Sequence, residues 1–70
     1  MKLFVEDMKG YMDVYEDVFT VKIKKVLNKN CLIIRYGDLK KPNEIIKLSE
    51  IRLAFMIDPE TTREYFRYAK

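Results

Sequence analysis

The stretch Val18-Phe19-Thr20-Val21-Lys22-Ile23-Lys24-Lys25-Val26-Leu27-Asn28-Lys29-Asn30-Cys31-Leu32-Ile33-Ile34-Arg35-Tyr36, running on to Leu48, decides the fold. Phe19, Val21 and Ile23 alternate with Thr20, Lys22 and Lys24, the two-residue period of a half-buried strand. The alternation predicts that the first three face a core and the lysines face away. Two polar residues in a row, Lys24-Lys25, break the period before Val26 and predict a bulge near the strand end. Asn28 and Asn30 tolerate the left-handed backbone of a tight reversal, so Asn28-Lys29-Asn30 is read as the turn. Cys31-Leu32-Ile33-Ile34-Arg35-Tyr36 is too short for a helix and rich in β-branched residues. It is read as a central strand covered at least partly on both faces, ended by Gly37-Asp38.

Outward from this hairpin, Leu39-Lys40-Lys41-Pro42-Asn43 is a polar loop, because Pro42 removes a backbone donor and Asn43 suits a turn. Glu44–Leu48 resumes as a strand with Ile46 and Leu48 on one face, and Ser49-Glu50 interrupts it. Ile51, Leu53, Phe55 and Ile57 then alternate with Arg52, Ala54 and Met56, which predicts a second strand after a corner; a short helix capped by Ser49 competes. Asp58, Pro59 and Glu60 carry three agreeing signals of a helix start. They predict a helix through Lys70 with Thr62, Phe66 and Ala69 inward, Tyr65 beside them, and Arg63, Arg67 and Lys70 outward.

At the other end, Val5, Met8, Met12, Tyr15 and Phe19 recur at spacings of three and four, which predicts a helix over 5–17 with Glu6 and Asp7 in its first turn. Gly10 costs such a helix about 1 kcal/mol. The competing reading is a strand at Lys2–Val5, a loop at Gly10 and an early start to the hairpin. The expected class is α+β: a small twisted antiparallel sheet of roughly three to five strands with helices at both ends.

Seventy residues make one domain, 1–70, stable by roughly 4–10 kcal/mol. A single cysteine, Cys31, and no histidine exclude an internal disulfide, a multi-cysteine metal site and any imidazole acid–base pair. Cys31 itself is expected to be a buried small hydrophobe. No catalytic residue, metal ligand or cofactor is assigned, and the chain is expected not to be an enzyme. Met1-Lys2 is followed by only three apolar residues before Glu6-Asp7, and no apolar run approaches the ~20 residues of a membrane span, so a cytoplasmic protein with no membrane partner is expected. The bias toward Lys, Ile, Tyr, Phe, Met and Asn is what AT-rich genes encode and fits a low-GC bacterium, its phage or a mobile element.

Charge is unevenly spread. Two lysines against five acids leave residues 1–20 at −3, eight basic against two acidic residues leave 21–49 at +6, and residues 50–70 balance. Lys22 and Lys24 point away from the core on this reading. Arg35, Lys47 and Arg52 join them if the register allows, and Arg63 and Arg67 add to a basic surface. Such a face either is simply solvated, tracks a phosphate backbone, or meets a protein. Tyr11, Tyr15, Tyr36, Tyr65 and Tyr68 are many for this length; they suit either the rim of a core or a protein interface.

The run Val21–Ile34, followed by Lys47-Leu48-Ser49-Glu50-Ile51-Arg52-Leu53, resembles the first strands of small five-stranded β-barrels of the staphylococcal-nuclease-like and Tudor/SH3-like groups. Asp58-Pro59-Glu60-Thr61 resembles the loop and helix that follow in the nuclease group. That group holds calcium in an aspartate-rich turn; here the turn is Asn28-Lys29-Asn30, whose amides and ammonium are poor ligands for a hard dication. Arg52, Asp58 and Glu60 could be cast as the remaining catalytic residues, but a helix cap and a first-turn acid account for Asp58 and Glu60. The resemblance therefore implies a catalytically silent relative. The expected function is a small non-enzymatic protein-binding module, a regulator or inhibitor from a phage or mobile element, with a protein partner unidentified. The alternative is a nucleic-acid binder using Lys22, Lys24, Arg35, Lys47, Arg63 and Arg67, and a homodimer is a further option.

Overall fold

The computed structural model describes residues 1–57 and 61–68. Among them the chain runs through seven strands: β1 (Lys2–Asp7), β2 (Met12–Tyr15), β3 (Val18–Val26), β4 (Lys29–Tyr36), β5 (Glu44–Lys47), β6 (Ile51–Ile57) and β7 (Thr62–Arg67). One 3-10 turn, Leu48–Glu50, joins β5 to β6. All pairings are antiparallel, in a four-stranded sheet of order β2-β1-β6-β7 and a three-stranded sheet of order β3-β4-β5. The protein is all-β, which overturns the expected α+β class at both ends of the chain.

At the amino terminus, the spacing that suggests a helix spans two strands and the turn between them. Gly10 sits at φ +95, a left-handed conformation that no helix contains. The Asp7 carboxylate accepts the backbone N–H groups of Lys9 and Tyr11, both at 2.9 Å, and so builds the reversal that the helix reading needs to be absent. At the carboxyl end, Asp58, Pro59, Glu60, Ala69 and Lys70 lie outside the described residues. From Thr62 onward the chain is a strand on the edge of β6, not a helix. Thr62, Tyr65 and Phe66 are β-favouring residues, and β6 offers them a hydrogen-bonding edge.

The hairpin forms, with three corrections. Val26 pairs with Lys29, so the turn is Leu27-Asn28, one residue earlier than expected, with both residues at positive φ (50 and 66). The bulge falls at Phe19, between the Val18–Tyr36 and Thr20–Arg35 pairs, and not at Lys24-Lys25. Phe19 and Ile23, expected inside, are 61% and 46% exposed. β5 and β6 stand where the alternation places them, and the Ser49-Glu50 interruption is the 3-10 turn.

The chain passes between sheets at Glu16-Asp17 and again at the 3-10 turn. Asp17, at φ 57, accepts Gly37 N–H on its carbonyl at 2.8 Å and Asp38 N–H on its carboxylate at 3.1 Å. A Cβ on Gly37 would lie 2.8 Å from that carboxylate, so a side chain there would push the Asp17 carboxylate aside. Val18 N–H donates to the Met1 carbonyl at 2.9 Å and ties the start of β3 to the start of β1. The likeness to five-stranded barrels therefore reaches only as far as a small all-antiparallel β protein: among the described residues the strands make two sheets and no closed barrel.

Between the sheets lies the core. Leu3, Val5, Ile51, Ala54 and Met56 come from the four-stranded sheet, and Val18, Leu32, Ile34 and Tyr36 from the three-stranded one. Tyr15, Val21, Ile46, Leu48, Tyr65 and Phe66 pack around them half-buried. No polar or charged side chain is buried among the described residues. Leu3, Leu32, Ile34 and Ile51 are wholly enclosed, and burying each contributes roughly 1.5–3 kcal/mol.

Candidate nucleic-acid interface

Residues paired directly across a ladder project from the same face of a sheet. In the three-stranded sheet the core face carries Val21, Leu32, Ile34 and Ile46, so the alternate positions point out. Reading across the register, the outer rows are Thr20–Arg35, Lys22–Ile33–Ile45, Lys24–Cys31–Lys47 and Val26–Lys29. Five cations, Lys22, Lys24, Lys29, Arg35 and Lys47, thus share one face, and none of these rows contains an acid. All five are exposed. The ion pairs among the described residues, Lys2–Glu16 and Glu64–Arg67, involve none of them.

The spacing follows from strand geometry. Lys22 and Lys24 project about 7 Å apart along β3, and Lys47 stands two strands away from Lys24, about 10 Å. Ile33 floors a shallow pocket of about 200 Å³ that Thr20, Lys22, Lys24, Arg35 and Asn43 line. At the hairpin end, Lys29 and Lys47 border a second hollow that Glu50 also reaches. Cys31 lies in the outward row yet is 3% exposed, since its neighbours are longer; it behaves as the small hydrophobe expected. Phe19, the extra residue of the bulge, stands exposed next to Thr20 in the chain.

Four of the six residues assigned to a basic surface from the sequence therefore meet on one face: Lys22, Lys24, Arg35 and Lys47. The other two do not join them. Arg63 and Arg67 lie on β7 of the other sheet, Arg63 with its guanidinium 5.0 Å from the Tyr65 ring and Arg67 bound to the Glu64 carboxylate at 2.7 Å. Arg52 is also elsewhere, on β6, donating to the Met8 carbonyl at 2.9 Å. Lys29 is the cation that sequence reasoning missed. Placing the turn one residue late removes it from the strand, and Leu-Asn is a weak signature for the two-residue reversal that restores it.

The five tyrosines are scattered. Tyr36 is buried, Tyr15 and Tyr65 pack half-buried on the core, and Tyr11 and Tyr68 are 69% and 47% exposed. Burial raises the phenol pKa of Tyr15, with Asp13, Glu44 and Tyr36 adding to it, and burial followed by Glu44 raises that of Tyr36. The Lys41 ammonium lies 4.0 Å from the centre of the Tyr36 ring.

A larger cleft of about 530 Å³ opens at the end of the sandwich, lined by Val5, Met8, Tyr15, Ile46 and Ile51 with Asp7, Asp13 and Glu50 at its rim. The Asp7 carboxylate is already committed to the turn that follows β1. Among the described residues no group of three His, Cys, Asp or Glu side chains is placed to hold a metal ion. No family model, curated protein or solved structure matches the chain.

Proposed function

We propose that this protein binds a nucleic-acid backbone with the outer face of β3-β4-β5. The observation that carries the reading is the convergence of Lys22, Lys24, Lys29, Arg35 and Lys47 on one face with no acid in their rows. Each ammonium or guanidinium that meets a phosphate releases a counterion, and the affinity gained is salt-dependent. Five contacts to a duplex correspond to a slope of log K on log salt of about −4.5. Apolar and short side chains separate the cations, so the face positions a backbone and reads little sequence. An exposed Phe19 at its edge suits stacking on an unpaired base, which favours single strands. The tyrosines offer a protein partner no comparably continuous surface.

The test is a titration with single- and double-stranded DNA and RNA at two salt concentrations. Binding that weakens steeply with salt is expected, and the triple variant K22E/K24E/K47E should lose it by roughly a hundredfold or more. Absence of binding at low salt, or a triple variant that binds as the parent does, overturns the reading.

A further inference from the structure

The four-stranded sheet also has an outer face, and its composition is different. Across β2, β1, β6 and β7 its rows are Glu16–Lys2–Ile57–Thr62, then Val14–Phe4–Phe55–Glu64, then Met12–Glu6–Leu53–Arg67, with Glu16 placed by its ion pair with Lys2. Phe4 and Phe55 stack at the centre, ring centroids 5.3 Å apart. Val14, Met12 and Ile57 around them are 50%, 46% and 48% exposed. Nothing in the described chain covers this face, while the opposite face of the same sheet makes half the core.

From this pattern we infer that the face is the contact surface of a homodimer, its occupant being a second copy of the chain. The argument is self-complementarity. A two-fold axis lying across the strands along the Val14–Phe4–Phe55 row sets each of these residues against its own counterpart, apolar on apolar. The same rotation sets Lys2 against the partner's Glu6, Glu6 against the partner's Lys2, and Ile57 against the partner's Leu53. Acid thus meets base and apolar meets apolar on both central strands. At the rim the operation brings Glu64 toward the partner's Glu64, each already neutralised by Arg67 at 2.7 Å, and Met12 toward the partner's Glu16, which Lys2 of its own chain pairs at 3.4 Å. A two-fold axis along the strands does worse, since it places Lys2 on Ile57, Glu6 on Leu53 and Val14 on Glu64, charge on apolar in each case.

Four strands and three outward rows give a footprint of roughly 20 Å by 20 Å. That is small for a specific interface and fits a dimer that dissociates in the micromolar range. Aligned sheet packing, with strands about 30° apart, would join the two sandwiches face to face. The basic faces of the two copies would then point outward on opposite sides, so a dimer could bridge two separate polyanion segments.

Sedimentation equilibrium across the micromolar range reads the state, with circular dichroism to show that each variant is folded. The parent chain is expected to shift from monomer to dimer. Val14→Glu, at an exposed position, places two carboxylates face to face and should weaken association at least tenfold. Lys2→Glu and Glu6→Lys alone should each weaken it by about fivefold at low salt, and the double variant K2E/E6K should restore it, because each cross-dimer pair is then simply reversed. A parent that stays monomeric throughout overturns the inference. So does a dimer indifferent to Val14→Glu, or a double variant that is no better than the singles.

Discussion

The two outer faces of this sandwich are built from the same strand alternation and end up unlike. On the three-stranded sheet the outward positions hold five cations without an acid; on the four-stranded sheet they hold a stacked phenylalanine pair, with three acids and two bases around it. The inward positions at the centre of both are aliphatic and aromatic core, with polar residues such as Asp13, Glu44 and Arg63 only at the margins. Burial constrains the inward residues of each strand and leaves the outward ones free, and in that free set the two sheets differ.

Neighbours on one strand give the strongest test of that division. Ile34 is fully buried and Ile33, one residue before it, lies on the outward side. Ile34→Ala should cost about 3 kcal/mol in urea unfolding, and Ile33→Ala less than about 1.5 kcal/mol. Equal losses would mean that the basic face is packed over and unavailable to a ligand. A smaller gain is expected at the hairpin tip. Leu27 is held at φ 50 and is 92% exposed, so Leu27→Asn relieves a left-handed leucine that contributes no packing and should stabilise by about 1 kcal/mol, read as a higher midpoint.

Lys29 sharpens the functional side of the comparison. Lys29→Ala should reduce the magnitude of the salt slope of polyanion binding by about one and the affinity several-fold, whereas Arg67→Ala on the other sheet should leave the slope unchanged. The smallest effect concerns pH. The Tyr36 phenol pKa is raised above its ordinary value by burial and by Glu44, so the folded state keeps its proton where the unfolded chain has lost it. Stability should therefore be intact below about pH 10 and fall as pH rises beyond it, toward the folded value. Alkaline melting curves should show this fall, shallower in Tyr36→Phe.

The parts legible in the sequence are those where one period holds without interruption. Val21–Ile23 and Glu44–Lys47 keep the two-residue pattern, so Lys22 and Lys24 can be placed together, while Arg35 and Lys47 join them only once the register is known; in Ile51–Ile57 the strand is legible but its phase shifts at Arg52. The ends misled for separable reasons. Val5, Met8, Met12 and Tyr15 are spaced as on a helix only because a four-residue reversal around Gly10 separates two strands. Thr62–Arg67 reads as a helix after Asp58-Pro59-Glu60, and the open edge of the preceding strand β6, which a helical pattern does not report, decides otherwise. Phe4 lies just before the stretch read as a helix, and its stacking on Phe55 depends on the long-range pairing of β1 with β6, which no local pattern reports. Propensity is local; an edge waiting for a partner is not.

The pairing of β1 with β6 has a consequence for how the molecule comes into being. The whole three-stranded sheet, Val18 to Lys47, closes through hairpins between neighbours in the chain, whereas the four-stranded sheet cannot form its central pair until Lys2–Asp7 finds Ile51–Ile57. Loop closure over that distance is slow compared with a hairpin, so the basic sheet should order early and the other late. During synthesis the first strand can pair with its hairpin mate β2, while its other edge stays open until Ile51–Ile57 has emerged. The acids of that segment, Glu6, Asp7 and Asp13, oppose association through the open edge.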